Sequence, residues 1–319
     1  MTDIDYMNSS EDLAPVSVFV YNRADKAKKC LELLANARYA KDTEIYIYCD
    51  GAKNEQGKAG VESTRNEVKD SKWESCFKKL TVVERPVNFG CKKSIISGIT
   101  NTINEKGRTI VVEDDIHVGK DFLRFMNDCL KYYENDPKVW SIGGVCIDFD
   151  SLKTYSKDVY AMNRTESWGW ATWADRWNKV DWDMKDYTAF KRDAKAKSAF
   201  AQGGEDLITE LKKEMEQNYD NWDIIWCYAQ FVNDGYTVFP RKSLAANEGF
   251  DGVGTHCESG NSIPYLPTVD EFDYHLESVE PDPSIMEELR RFYKETPLTK
   301  IYNNLPSWGR RLARSVYRK

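Results

Sequence analysis

Arg108-Thr-Ile-Val-Val-Glu-Asp-Asp115 decides the reading of this chain. Thr109 to Val112 is a short, mostly β-branched run of the kind that forms a fully buried strand, and three carboxylates end it at once. The same arrangement recurs upstream. Pro15-Val-Ser-Val-Phe-Val-Tyr21 is an apolar run closed by Asn22-Arg23-Ala24-Asp25, and Glu44-Ile-Tyr-Ile-Tyr-Cys49 is closed by Asp50-Gly51. Leu80-Thr-Val-Val-Glu84 is a further strand candidate. Between these runs, Lys26 to Asn36, residues 60–71 and Lys92 to Asn104 read as helices, the last entered through an Asn88-Phe89-Gly90 turn. Strands alternating with helices predict βαβ units, hence an α/β fold with a mainly parallel sheet flanked by helices. Beyond residue 116 the pattern becomes irregular and rich in Trp and Gly, which predicts loops and helices around the open edge of the sheet.

Composition sets the outer limits. The 319 residues are 41% hydrophobic and 30% charged, a globular balance that excludes a disordered chain. Apolar stretches such as Val16 to Tyr21 fall far short of the ~20 residues of a membrane span. Residues 1–13 read as a disordered leader, because Met1-Thr-Asp-Ile-Asp-Tyr6 is acidic and lacks the apolar core of a signal peptide. Eight cysteines without a CxxC pair read as reduced, mostly buried thiols, and three histidines without ligand spacing argue against zinc. Net charge is −7, but residues 290–319 carry nine Lys/Arg against Glu295 alone, so the rest of the chain stands at −15. An acidic body of that kind disfavours nucleic acid as a partner.

In open parallel sheets ligands bind beyond the carboxyl ends of the strands. Arg23, Asp50 and the Glu113-Asp114-Asp115 triplet all fall at such ends. Hard cations such as Mg²⁺ or Mn²⁺ take oxygen ligands, often one or two carboxylates with substrate phosphates, and so suit the triplet. The competing reading is a solvated helix N-terminus, where Asp is favoured by the dipole.

The run from Arg108 through Glu113-Asp-Asp115-Ile-His-Val-Gly-Lys-Asp-Phe-Leu123 resembles the metal-binding segment of nucleotide-sugar glycosyltransferases with the GT-A fold. It is most similar to inverting N-acetylglucosaminyltransferase I and to bacterial cell-surface-polysaccharide sugar transferases. The opening Pro15 to Arg23, Tyr48-Cys-Asp50-Gly51, Ser167-Trp-Gly-Trp-Ala-Thr-Trp173 with Asp175-Arg-Trp177, Asn221-Trp-Asp-Ile-Ile-Trp-Cys227, Asn247-Glu-Gly-Phe250 and Thr255-His256 carry the same resemblance over residues 14–257. It implies a GT-A-like, Rossmann-like fold and a metal-dependent, inverting transfer from a UDP-sugar to a glycan or lipid-linked saccharide. Arg23 and Asp50 would contact the base, Asp115 would bind Mn²⁺ (or Mg²⁺), Glu113 and Asp114 would hold ribose or donor sugar, and Asp223 would be the general base. Asp220 and the Glu205-Asp206 pair are rivals for that last role.

Each of these residues also has a plainer reading. Asp223 precedes Ile224 to Tyr228 and could serve only as a helix cap. Trp168 and Trp170 offer faces for a sugar ring, with Gly169 permitting close approach, whereas Trp173 and Trp177, four apart, read as core on one helix face. The helix start after Gly90, with Lys92 or Lys93, suits a phosphate, or is an ordinary helix start. Lys93 is assigned to the donor. His256, behind a Gly-rich loop, would meet the diphosphate or the metal, or is a lone exposed histidine; His117 reads as structural.

The chain therefore divides into the leader, a nucleotide-sugar-binding half over 14–115, an acceptor-binding and catalytic half over 116–275, and a basic C-terminal helical tail over 276–319. Its last part, 296–319, reads as a basic amphipathic helix on an anionic membrane surface, or as a tail docked on the acidic body. The expected location is cytoplasmic, peripheral on the inner face of a bacterial membrane. A sugar-1-phosphate nucleotidyltransferase is the alternative enzyme, though a Gly-rich basic loop after the first strand is missing. A non-catalytic carbohydrate-binding protein is the alternative from another class, and the strand-end carboxylates argue against it.

Overall fold

The computed structural model describes residues 13–249 and 265–294. The first half alternates strand and helix: β1 (Val16–Val20), α1 (Ala24–Asn36), β2 (Glu44–Cys49), α2 (Lys58–Val68), β3 (Lys79–Glu84), α3 (Cys91–Lys106) and β4 (Arg108–Glu113). These strands lie side by side as β3-β2-β1-β4, all parallel, with Val16 opposite both Ile45 and Ile110. Parallel neighbours need a crossover, and the amphipathic helices supply it. Alternate residues of β1 face opposite layers. Val16, Val18 and Val20 join Ala27, Cys30, Leu31 and Leu34 of α1, whereas Phe19 joins Ile95, Ile99 and Ile103 of α3.

The second half runs β5 (Ile116–Val118), α4 (Phe122–Tyr132), β6 (Val139–Gly143), α5 (Asp150–Lys153), β7 (Val159–Met162), β8 (Trp170–Trp173), α6 (Ala174–Trp177), α7 (Tyr187–Phe190), α8 (Ala194–Phe200), α9 (Asp206–Gln217), α10 (Asp223–Val232), β9 (Tyr236–Pro240), β10 (Ala245–Asn247) and α11 (Pro283–Phe292). It is more regular than its sequence suggests. Strands β8, β6, β9 and β7 extend the same sheet beyond β4, which gives eight strands in the order β3-β2-β1-β4-β8-β6-β9-β7. β8 is antiparallel to both β4 and β6, while β6 and β9 are parallel. The result is an α/β fold of the Rossmann-like kind, a large mostly parallel sheet flanked by helices.

Trp173 and Trp177 do not share a helix face. Trp173 ends β8, where residues alternate sides, so it packs with α4 in one layer while Trp170 and Trp177 belong to the other. Aromatic and β-branched content gives Trp170-Ala-Thr-Trp173 its strand preference. The seven cysteines among the described residues are free thiols. Among the described residues no helix is long and apolar enough to cross a membrane. Residues 276–294 pack on the body, with Leu276, Val279, Ile285, Met286 and Leu289 buried. Residues 1–12 of the leader and the segment 296–319, for which the sequence suggests a membrane surface, lie outside the described residues.

Candidate active site

Three carboxylates and one guanidinium meet at the carboxyl end of the parallel half. Glu113 sits opposite Phe19, and Asp114 N donates to Phe19 O at 3.1 Å, so the triplet emerges where β1 also ends. Arg23 stands just beyond β1 and turns its side chain onto Asp114 and Asp115. Its Nη2 pairs with both carboxylates, at 3.0 Å from Asp115 Oδ2, and its Nε lies 3.4 Å from Asp114 Oδ2. Burial by itself would depress the Arg23 guanidinium, but the two carboxylates outweigh it and hold Arg23 firmly protonated. Asp114 and Asp115 are nevertheless only 3% and 8% exposed.

The small sheet behind the triplet holds Asp115 in place. β10 pairs antiparallel with β5, Glu248 N donates to Asp115 O at 2.9 Å, and Lys26 Nζ donates to Glu248 O at 2.9 Å. Gly249 lies against the carboxylate itself: a Cβ there would stand 2.4 Å from Asp115 Oδ2. Any residue larger than glycine would force the carboxylate aside.

One guanidinium does not balance the acids. Burial, then the negative Asp115 and Asp114, push the Glu113 carboxyl up to about 8, with Arg23 opposing. Burial raises Asp114 to about 6 against the pull of Arg23. A carboxyl whose folded pKa lies above its unfolded one is neutral in both states at low pH and destabilises the fold once the unfolded chain ionises. The melting temperature should therefore rise as pH falls from 8 toward 5. Glu113→Gln should flatten that slope, and an unchanged slope in differential scanning fluorimetry would contradict the assignment. The excess negative charge also suits a hard divalent cation. Such an ion takes one or two carboxylate ligands when substrate phosphates complete its shell, and Asp115 and Asp114 are the carboxylates that would hold it here. Among the described residues no group of three His, Cys, Asp or Glu side chains is placed to hold a metal ion.

Asp50 takes a different role from the base contact its position suggests. Its Oδ1 accepts from Gly51 N (2.8 Å) and Phe89 N (2.8 Å), and its Oδ2 from Asn88 Nδ2 (2.9 Å) and Gly90 N (3.1 Å). Four donors fill the lone pairs of a carboxylate, so Asp50 fixes the 88–90 turn and keeps no free acceptor for a base N–H. The start of α3 is likewise taken. Asp220 accepts from Cys91 N (3.0 Å) and Lys92 N (3.2 Å), and it covers the amides that a phosphate would need. Gly90, at φ 76°, brings the chain to within 3.0 Å of Asp220 Oδ2 for a would-be Cβ. Lys92 is held by Glu214 at 2.6 Å, and Lys93 stands over the Phe89 ring at 4.3 Å.

Of the tryptophans, Trp168 is half-buried and lies against Tyr265, with ring centres 4.5 Å apart. Trp170 is 1% exposed and stacked on Trp222, between Trp177 and Trp226, so its face meets other indoles and is closed to a sugar. The alternation of β8 turns it into the layer opposite Trp173. His256 lies outside the described residues.

Asp223 opens α10, with its N–H donating to Asn221 Oδ1 at 3.2 Å and its own carboxylate held by Asn221. Burial pushes its carboxyl up to about 6; Arg164 opposes this, and Glu166 and Glu210 add to it. Its charge reaches Glu113 as well, and the thiol of Cys91 feels Glu113, Asp220, Asp223 and Asp115 together. Asp223 thus interacts electrostatically with the triplet and with a second charged group that sequence reasoning largely missed. There the Arg164 fork grips Asp206 (3.1 and 3.0 Å) and lies 3.3 Å from Glu166, and Tyr265 and Tyr293 donate to Glu166. The available signal was Asn163-Arg-Thr-Glu166, charged residues set directly before a Trp-rich strand.

No known family profile matches the chain, and no curated protein matches it. Solved structures do. S. aureus TarS aligns over 81% of this chain at 11% identity and a TM-score of 0.36. UDP-glucose pyrophosphorylase complexed with UDP-glucose aligns over 72% of this chain and 90% of its own, at 10% identity and a TM-score of 0.38. A cytidylyltransferase from Leptospira borgpetersenii serovar Hardjo-bovis aligns over 53% of this chain, at 9% identity and a TM-score of 0.31. The chain spans 37% of the length of TarS and 63% of that of the cytidylyltransferase.

Proposed function

We propose that this protein is a metal-dependent, inverting glycosyltransferase that moves a sugar from a UDP-sugar to a saccharide acceptor in cell-surface polysaccharide synthesis. The observation that carries the reading is the Glu113-Asp114-Asp115 cluster at the end of β4, with Asp114 and Asp115 buried, Arg23 paired to both, and the charge of Asp223, the one acid of α10, felt at Glu113. A bound Mn²⁺ or Mg²⁺, held by Asp115, would neutralise the charge of the departing diphosphate. Arg23 and Lys93 would add positive charge around the nucleotide, and Glu113 and Asp114 would hold ribose or sugar hydroxyls. Trp168 offers the partly open aromatic face for a sugar ring. Asp223 takes the proton of the acceptor hydroxyl as that oxygen attacks the anomeric carbon from the face opposite UDP, which inverts the linkage. The basic segment 296–319 would keep the enzyme beside an anionic membrane and a lipid-linked acceptor.

A panel of UDP-sugars tested with and without Mn²⁺ decides the matter. One donor should raise the melting temperature and release UDP, and chelation with EDTA should abolish both effects. A ligand at about 100 times its Kd adds about 2.7 kcal/mol of stability, which such a melt resolves readily. Pyrophosphate release from UTP and a sugar 1-phosphate, with UDP-sugars inert, would instead make the protein a nucleotidyltransferase.

A further inference from the structure

The position of Arg23 raises a question about metal entry. Its Nη2 pairs with Asp115 Oδ2 at 3.0 Å, and a Cβ at Gly249 would stand 2.4 Å from the same oxygen, so the chain crowds it there as well. A cation that takes this oxygen competes with the guanidinium already paired to it. The Arg23 side chain does not cap α1, although Arg23 holds the N-cap position; its bonds go to the two carboxylates. Its Nη1 is buried and has no hydrogen-bond partner. Pulled from Asp115 with nothing in exchange, the guanidinium would leave more unpaired donors in a desolvated site, which is costly. A diphosphate changes that balance. Its oxygens accept from a guanidinium in the bidentate manner that Arg favours, and they would also satisfy Nη1.

We propose that Arg23 is an internal placeholder for the divalent ion: it occupies Asp115 until a nucleoside diphosphate arrives, draws the guanidinium away and opens the carboxylate to the metal. The inference rests on the nucleotide-sugar reading above and deepens it, because it makes metal and diphosphate binding cooperative through a named side chain. Such coupling is reciprocal and commonly amounts to about 5- to 150-fold in affinity. Asp114 stays paired with the guanidinium only while the placeholder is in position, so Arg23 acts here as a positioning residue.

The test is Mn²⁺ binding, followed by the free-ion electron paramagnetic resonance signal, for the wild-type chain and for Arg23→Gln, each with and without UDP. In the wild type, UDP should tighten Mn²⁺ binding by tenfold or more. Arg23→Gln should bind Mn²⁺ about tenfold more tightly than the wild type when UDP is absent, and the tightening by UDP should shrink by a similar factor. A melting curve checks that the variant is folded. If it is not, Arg23→Lys, which keeps the charge and loses the fork, should show the same change at reduced size. If UDP tightens Mn²⁺ binding and the folded Arg23 variant binds the ion no better than the wild type, the placeholder is overturned and the nucleotide-sugar reading stands. If neither UDP nor Mn²⁺ binds the wild type, both are overturned.

Discussion

Asp223→Asn is expected to lower the transfer rate by about 10²- to 10⁴-fold, the range of a positioned general base, while UDP binding stays within a factor of two or so. The substitution is nearly isosteric. It removes a charge that burial disfavours, and it loses at most the ~0.3–1 kcal/mol that an acid gains from the dipole at a helix N-terminus. The melting temperature should therefore stay the same or rise, which separates a chemical effect from a structural one. The carboxyl, pushed up to about 6 by burial, must be ionised to accept a proton. The wild-type rate should then rise with pH through about 6 and level off above it. Of the rivals for this task, Asp220 is bound to the start of α3 and Asp206, of the Glu205-Asp206 pair, to Arg164. Initial rates with saturating donor, measured from pH 5 to 8, check the prediction. Wild-type turnover by the Asn variant would take Asp223 out of the mechanism.

The parallel half of the fold is legible because each of its strands is a local apolar run ended by polar residues. Val16 to Val20, Glu44 to Cys49 and Arg108 to Glu113 announce themselves without reference to anything distant. Val139-Trp-Ser-Ile-Gly143 and Tyr236 to Pro240 do not, since a five-residue run with few flanking signals also fits a loop or a short helix, and only pairing with β8, with β7 and with each other makes them strands. The spacing of Trp173 and Trp177 matches a helix face by coincidence, because a strand ends at the first and a short helix holds the second. The candidate site divides in the same way. Strand-end placement picks out Glu113 to Asp115, but the partners that decide what each acid does lie far along the chain. Arg23 meets Asp114 across 91 positions, Asp220 meets Cys91 across 129, and Tyr293 meets Glu166 across 127. No local pattern encodes such pairs. The assignment of Asp50 to the base and of the α3 start to a phosphate therefore could not anticipate the donors and carboxylate that already occupy them.

Arg164→Ala should destabilise the second half of the fold by about 3–5 kcal/mol, the cost of stripping the partner from a buried ion pair. The Arg164 guanidinium meets Asp206 with two parallel bonds of 3.1 and 3.0 Å, approaches Glu166 at 3.3 Å, donates to Gly203 O at 3.3 Å, and lies 3.6 Å above the Tyr293 ring. It joins the turn after β7, the first residue of α9 and the residue after α11, so its loss loosens three separate segments at once. The pH dependence identifies the cause. Burial already raises the Glu166 carboxyl, and Arg164 is what opposes that rise; it opposes the rise of Asp223 in the same way. Without Arg164 both folded pKa values climb further above their unfolded values. Below about pH 4 Glu166 and Asp223 are largely neutral in folded and unfolded chains alike, so there these two acids add nothing to the loss. As pH rises from 4 toward 7 the unfolded chain ionises and the folded one resists, and the stability gap to the wild type should widen steadily. Arg164→Lys keeps the charge without the fork or the stacked plane and should recover part of the loss, mainly at neutral pH. Urea denaturation of the three proteins at pH 4, 5.5 and 7 provides the measurement. A gap that stays constant across this range, or one below 1 kcal/mol at pH 7, would mean that the guanidinium fills space there and does not neutralise the acids around Asp223.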